Sequence, residues 1–247
     1  MNTSDYRRFG GISRLFGKES FERLSQSHVC IVGVGGVGSW AAEAIARTAI
    51  GRITIIDGDT VEQSNTNRQL PAMDGQYGRK KVEVLAERFK AINPQAHVEA
   101  KAIFINEENI DQAIGCPDIV LDCIDSLKAK AQLIAWAKKK NIALIVSAGA
   151  GGRVDSTRIK VDDLARVNGD GLVSALRSTL RKNYGFPKGS AHSKSQKFGF
   201  PTVYSDEPVL PSQDGEDGFG VFVGVTAVFG MTMASLAIQS LLKEKKS

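Results

Sequence analysis

The sequence predicts an α/β protein on a Rossmann-like, doubly wound and mostly parallel sheet, with a C-terminal crossover and a final buried helix. Three observations carry this expectation. Short apolar runs of strand length alternate with helical segments as far as Ser147. The first run passes directly into a glycine turn, Gly33-Val-Gly-Gly-Val-Gly-Ser39, and then into a helix. An acid, Asp57, closes the second run roughly 20 residues beyond that turn.

Taken in order, the pattern predicts a strand near Val29 to Val32, a helix from about Gly36 to Ile50 and a strand from Arg52 to Asp57. A helix from about Arg79 to Ile92 should stop at Asn93-Pro94, because a proline forces the preceding residue out of the helical region. Strands near His97 to Ala102 and Ile119 to Asp122, with a short helix between them, lead to a helix from about Ser126 to Lys139 and a strand from Ala143 to Ser147. In such a sheet the ligand lies at the carboxyl ends of the strands, where Gly33, Asp57, Asp122, Cys123 and Asp125 fall. Gly33 permits the tight turn, Gly35 and Gly36 let the backbone approach a phosphate, and Gly38 lets the helix pack on the sheet.

We read residues 1–247 as a single domain, with 153–217 a basic insertion or crossover within it. Composition changes after Gly149-Ala-Gly-Gly152. From Arg177 to Lys197 there are six Lys or Arg and no acid, interleaved with Tyr184, Phe186 and His192. This run reads as a solvated face or as a loop that orders on a polyanion, and the net charge of +5 is compatible with such a partner. Cys30, Cys116 and Cys123 have no Cys-x-x-Cys spacing, so neither a zinc ribbon nor a disulfide framework is indicated, and a reducing cytoplasm fits. The N-terminus, with Arg7, Arg8 and Arg14, lacks the apolar core of a secretory signal. From Gly218 to Leu242 there is no charge over a bilayer-spanning length. Its glycines, hydroxyl residues and Gln239, with Asp217 and Lys243 at its ends, favour a core helix over membrane contact.

The chemistry rests on a second cluster. Asp57 suits a ribose in either a nicotinamide dinucleotide or ATP, but Asn65, Arg68 and Lys81 suit a triphosphate, whose charge must be neutralised as pyrophosphate leaves. Lys81 has a second reading, as a solvated helix residue sharing a face with Leu85 and Arg88. Asp125 reads as a magnesium ligand or as a helix N-cap before Ser126. Cys123 reads as packing.

The glycine turn, Asp57-Gly-Asp59, Ser64-Asn-Thr-Asn-Arg-Gln69 and Cys123-Ile-Asp-Ser126 together resemble the adenylating enzymes related to ubiquitin-activating enzyme, including the thiamine and molybdopterin adenylyltransferases. Arg8-Phe-Gly-Gly-Ile-Ser-Arg14, Gly38-Ser-Trp-Ala-Ala-Glu43, Thr66-Asn-Arg-Gln69 and Gly149-Ala-Gly-Gly152 are similar to its tRNA threonylcarbamoyladenosine dehydratase subgroup. The resemblance implies that Asp57 holds the ATP ribose, that Asn65, Arg68 and Lys81 bind phosphates, and that Asp125 coordinates Mg2+. It places Asp59 and Gln69 in the same pocket. It further implies a homodimer, with Arg14 reaching into the neighbouring subunit's site, a tRNA contacted by the basic residues from Arg153 to Lys197, and room for a sulfurtransferase-system partner. The implied reaction is ATP-dependent dehydration of N6-threonylcarbamoyladenosine in tRNA to its cyclic form. The alternative is adenylation of the C-terminus of a ubiquitin-like sulfur carrier. The family's sulfur-handling members carry zinc-binding cysteine pairs and a crossover cysteine; here both are missing, and Asp214 to Gly220 holds no thiol. A noncatalytic partner subunit or plain dinucleotide-binding domain is the third reading, which Arg68, Lys81 and Asp125 speak against.

Overall fold

The computed structural model describes residues 3–188, 196–213, 215 and 218–243. Apolar β-branched runs build a seven-stranded sheet from β1 (His28–Val32), β2 (Arg52–Ile56), β3 (His97–Lys101), β4 (Ile119–Asp122), β5 (Ala143–Ser147), β6 (Ile159–Asp163) and β7 (Pro201–Ser205). The order is β3-β2-β1-β4-β5-β7-β6, parallel throughout except for β6, which runs antiparallel to β7 at the edge. Val29, Ile31, Ile53, Ile55, Val120 and Leu121 are buried on this sheet, as two-sided coverage by helices requires.

The first helices are α1 (Thr3–Phe16) and α2 (Lys18–Gln26), followed by α3 (Gly38–Ala46), α4 (Lys81–Ile92), α5 (Ile110–Ile114) and α6 (Leu127–Lys140). Helix α3 is shorter at both ends than the sequence pattern suggests. Gly36 and Val37 stay in the turn, and Ala49 takes φ 60°, which no helix continues. Helix α4 begins at Lys81 rather than Arg79 because Lys80 is extended and bridges to Thr60. Its end at Asn93 falls where Pro94 requires it.

The region after Gly152 adds β6, β7 and α7 (Gly171–Asn183) to the same sheet and core. Arg177, Arg181 and Lys182 lie on α7, whereas His192 and Lys194 of the basic run lie outside the described residues, as do Asp214, Glu216 and Asp217. The uncharged C-terminal segment forms α8 (Val223–Leu242), long and apolar enough to cross a membrane, with half of its most apolar stretch buried inside the protein. It packs along α3, where Gly230 brings the two backbones together: a Cβ there would stand 2.5 Å from the Val37 carbonyl oxygen. Phe229, Met233 and Ala237, on its inner face, are fully buried.

Candidate nucleotide site

A cavity of about 620 Å³ opens at the carboxyl ends of β1, β2, β4 and β5. Gly33, Gly35, Gly36, Asp57, Asp59, Asn65, Arg68, Gln69, Lys81 and Asp125 all face it. Two residues expected at the site do not line it. Gly38 lies under the turn, where a Cβ would sit 1.8 Å from the Gly33 carbonyl oxygen, so its role is the close approach of helix to loop. Arg14 is exposed on α1, outside the cavity of its own chain.

The turn is built by backbone. Gly33 takes φ 83°, a conformation that L side chains disfavour, and donates its N–H to the Ile56 carbonyl at 2.8 Å. The next amide, Val34 N–H, donates to Asp57 Oδ2 at 2.8 Å, and Asp59 N–H donates to Asp57 Oδ1 at 2.9 Å. Asp57 therefore ties the glycine turn to the end of β2, while each carboxylate oxygen keeps a lone pair for a hydroxyl donor.

Lys81 is not the solvated helix residue of the second reading. It is 5% exposed, and its Nζ lies 2.9 Å from Asp59 Oδ2, pointing back to the cavity from the first turn of α4. Asn65 Oδ1 accepts the Glu62 N–H at 3.1 Å, closing a reciprocal cap on a short 3-10 turn, Gln63–Asn65. Arg68 Nη1 donates to the Ser64 carbonyl and to Asn67 Oδ1, both at 2.8 Å, which extends the guanidinium along the cavity wall. The Arg68 carbonyl in turn accepts from Trp40 Nε1 at 3.0 Å. Gln69 Oε1 is buried without a hydrogen-bond partner, an acceptor left over for a ligand donor.

Asp125 is exposed to the cavity and makes no hydrogen bond or ion pair with the described residues. The N-cap of α6 is Ser126, so the capping alternative for Asp125 fails. Beneath it, Asp122 does not reach the cavity. It is fully buried in an ion pair with Lys130 at 2.9 Å, with Oδ2 unpartnered, and burial pushes its carboxyl up against the opposing pull of Lys130. The Cys123 thiol is also pushed up by burial and lies 3.7 Å from Met233 Sδ, which makes it packing rather than a nucleophile.

The opposite wall is not legible as a site in the sequence. Ser147, Gly149, Ala150 and Leu172 line it, and the turn after β5 is fixed by Arg153, which is 2% exposed. Arg153 Nη1 donates to the Gly149 carbonyl at 2.7 Å and Nη2 pairs with Asp170 Oδ2 at 3.1 Å. Asp170 also accepts from Gly149 N–H and caps α7 through Val173 N–H. The sequence signals are the Gly149-Ala-Gly-Gly152 stretch, which carries only a family resemblance, and Asp170 ahead of an apolar helical run, a regular N-cap position. At the mouth, Phe104 is 66% exposed, and a Cβ on Gly58 would strike its ring at 2.6 Å.

Among the described residues no group of three or more His, Cys, Asp or Glu is arranged to hold a metal on protein ligands alone. A single free carboxylate facing a cavity lined by Asn65, Arg68 and Lys81 does fit Mg2+, which in nucleotide sites keeps most of its shell as water and phosphate oxygens.

The chain is 42% identical to the tRNA threonylcarbamoyladenosine dehydratase of Haemophilus influenzae, over 97% of this chain and 95% of that protein. The crystal structure of the E. coli tRNA N6-threonylcarbamoyladenosine dehydratase in complex with ATP superposes with a TM-score of 0.91 at 40% identity, covering 98% of this chain and 96% of that one. The AMP complex of the same enzyme gives 0.92 at 41% identity, with the same coverage. The ThiF family model matches residues 10–247, from α1 through the glycine turn, both cavity walls and α8, and the chain belongs to the ThiF family.

Proposed function

We propose that this protein catalyses the ATP-dependent dehydration of N6-threonylcarbamoyladenosine in tRNA to its cyclic form, with release of AMP and pyrophosphate. The observation that carries the reading is the similarity to dehydratases over nearly the whole chain. A carboxylate is a poor electrophile. Attack of a threonyl carboxylate oxygen on the α-phosphorus of ATP, with pyrophosphate leaving, turns that oxygen into part of an AMP leaving group. The neighbouring carbamoyl group then attacks the acyl carbon, a proton is lost and AMP departs. The nucleophile comes from the substrate, so the protein supplies position, charge and dryness.

In this reading Asp57 accepts from the ribose hydroxyls, Gly35 and Gly36 leave room for phosphates, and Gln69 Oε1 accepts from the bound nucleotide or its water. Asn65, through its amide, and the Arg68 and Lys81 cations carry the phosphate charge. Asp125 is the side chain that would hold Mg2+, whose chemistry is to neutralise the pyrophosphate leaving group. Arg14 acts in trans across a homodimer, and basic residues of the 153–197 region meet the tRNA, with the exception of Arg153, which is buried against Asp170 and cannot. A cytoplasmic location follows from a tRNA substrate. Association with a sulfurtransferase-system protein rests on the family resemblance alone and is tested by co-purification.

The carrier-protein alternative is disfavoured by the 42% identity to a dehydratase over 97% of the chain, and the thioester or sulfur relay that would follow adenylation gets no support from Cys30 or Cys123. Burial pushes Cys30 up to about 12 and raises Cys123 as well, so neither is a poised sulfur nucleophile. The decisive experiment incubates the protein with ATP, Mg2+ and tRNA bearing threonylcarbamoyladenosine, and follows the nucleoside by mass spectrometry under conditions that spare a labile ring. Loss of one water with AMP formation supports the reading. Unchanged nucleoside, with AMP transfer to a carrier protein instead, overturns it.

A further inference from the structure

A second concavity, of about 510 Å³, lies beside the nucleotide cavity along the outer face of α6. The same helix walls both. Lys128 and Ala129 face the nucleotide cavity, Trp136 and Lys138 face the groove, and Gln132 lines the two together. At the helical rise, Lys139 stands only about 10 Å along the axis from Gln132. Gln132 is 8% exposed, yet its amide makes no hydrogen bond with the described residues. The amide atoms are not among the fully buried unpartnered ones, so they open to the cavities, and they face the passage between the two.

The charges in the groove are unevenly matched. Asp111 is consumed by Lys140, at 2.9 Å, and by Trp136 Nε1, at 2.6 Å. Glu107 accepts from the Tyr184 hydroxyl at 3.4 Å and forms no ion pair with the described residues. Lys138 lies 3.9 Å over the Phe186 ring, and Lys139 is exposed, forming no ion pair among the described residues and attracted to Asp111 only at longer range. The rim is thus basic, with the half-buried Tyr184 ring at its side, Phe186 and Trp136 buried beneath, and a free amide at the inner end. Cations for the phosphates, one accessible ring edge and an amide for base edges are the chemistry that holds unpaired nucleic acid.

We propose that the groove receives an unpaired nucleotide flanking the modified adenosine of the tRNA, with its phosphate on Lys138 and Lys139 and Gln132 set between the two nucleotides. The proposal rests on the dehydratase reading. A base that enters a strand-end cavity must leave its stack, so the nucleotide beside it is drawn along the adjoining surface, and this groove opens from the same wall. The tRNA footprint therefore centres on α6 and the end of α7.

The test compares wild type, the double variant Lys138→Glu/Lys139→Glu and, as a charge control on α4, Lys90→Glu. Each is assayed for turnover of modified tRNA, for tRNA retention on a filter at several salt concentrations and for ATP binding by calorimetry. The double variant should raise the KM for tRNA about tenfold or more and flatten the slope of log affinity against log salt by about 1 to 2, one for each phosphate no longer neutralised. ATP affinity should stay at the wild-type value, and Lys90→Glu should change neither tRNA quantity. Unchanged KM and salt slope in the double variant, or an equal loss in Lys90→Glu, overturns the groove. If the wild type binds tRNA without turning it over, the dehydratase reading fails while the filter measurement still decides the groove. Gln132→Leu supplies a second arm: it should lower kcat/KM for tRNA roughly tenfold while the thermal midpoint holds, and no change in kcat/KM counts against the proposed place of the amide.

Discussion

The two walls of the nucleotide cavity are held by different means. On the β1–β2 side the groups facing the ligand are set by backbone: Gly33 in its left-handed turn, Val34 N–H on Asp57, and the α3 backbone pressed against the turn at Gly38. On the β5–α7 side they are set by one buried side-chain pair, Arg153–Asp170, which clamps both polar groups of Gly149. A backbone-built wall constrains residue type at fixed spacing and therefore leaves a motif. A wall built on a pair 17 residues apart leaves two ordinary charged residues in an unremarkable stretch.

The sharpest way to break this contrast is Gly38→Ala. The added Cβ would lie 1.8 Å from the Gly33 carbonyl oxygen and 3.0 Å from Cys123 Cβ, so the helix or the turn must move. Overpacking of this kind costs about 1–3 kcal/mol of stability. The larger effect is expected on ATP affinity, which should fall roughly 100-fold or more in a calorimetric titration if the displaced turn makes the proposed phosphate contacts. Normal ATP binding would show that the backbone does not hold this wall.

Arg153→Met probes the other wall. Breaking a buried pair on one side leaves an uncompensated charge and costs about 3–5 kcal/mol. Here it also strips the Gly149 carbonyl of its donor. Urea denaturation should show this loss, with Asp170→Asn added to Arg153→Met restoring part of it. ATP affinity should drop less than in Gly38→Ala. Equal losses of ATP affinity would mean that the two walls act as one unit.

Asp125→Asn separates chemistry from architecture. Because the carboxylate has no partner among the described residues, the thermal midpoint should not move, whereas turnover should fall about 100-fold at fixed Mg2+, the scale of several kcal/mol of charge stabilisation. A fall in the midpoint would assign Asp125 to structure instead.

How much can be read without coordinates follows the same contrast. The strands from β1 to β5 are legible because apolar runs bounded by turns specify them, and every residue assigned to the site from β1, β2 and their loops, apart from Gly38, faces the cavity. Helices α1 and α2 leave no comparable signal. Gly10 and Gly11 interrupt the sequence pattern of α1, and its Phe9 is buried in a small cluster with Ile12, Phe21 and Ala49, contacts that exist after folding. Strand β6 alternates charged residues at a sheet edge, and α7 is hidden inside a basic run whose charge masks the Asp170 cap. Lys81 is ambiguous because helix periodicity cannot tell a first-turn lysine facing Asp59 from one facing water.

The smallest expected effect lies at the far end of the sheet, where His28 opens β1 away from the cavity. Burial, then repulsion from Arg52, lowers its imidazole to about 4 from an ordinary 6.5, while its Nε2 meets Thr54 Oγ1 at 2.9 Å. Between those two values the unfolded chain binds the proton that the folded one refuses. Stability should therefore decline as pH falls from 6.5 through about 4, with this residue adding no further slope below that. Glu43 loses its contribution lower down: burial raises its carboxyl, but hydrogen bonds from Arg88 and Arg47 outweigh that and hold it below the usual range. Thermal midpoints of wild type and His28→Gln across this window should differ in slope, with the variant flatter between pH 6.5 and 4. Their ATP affinities should remain equal to each other at every pH. Identical slopes would move the acid sensitivity onto the carboxylates. A pH-dependent difference in ATP affinity would mean that the base of the sheet and its nucleotide end are coupled, which backbone-held strand ends do not require.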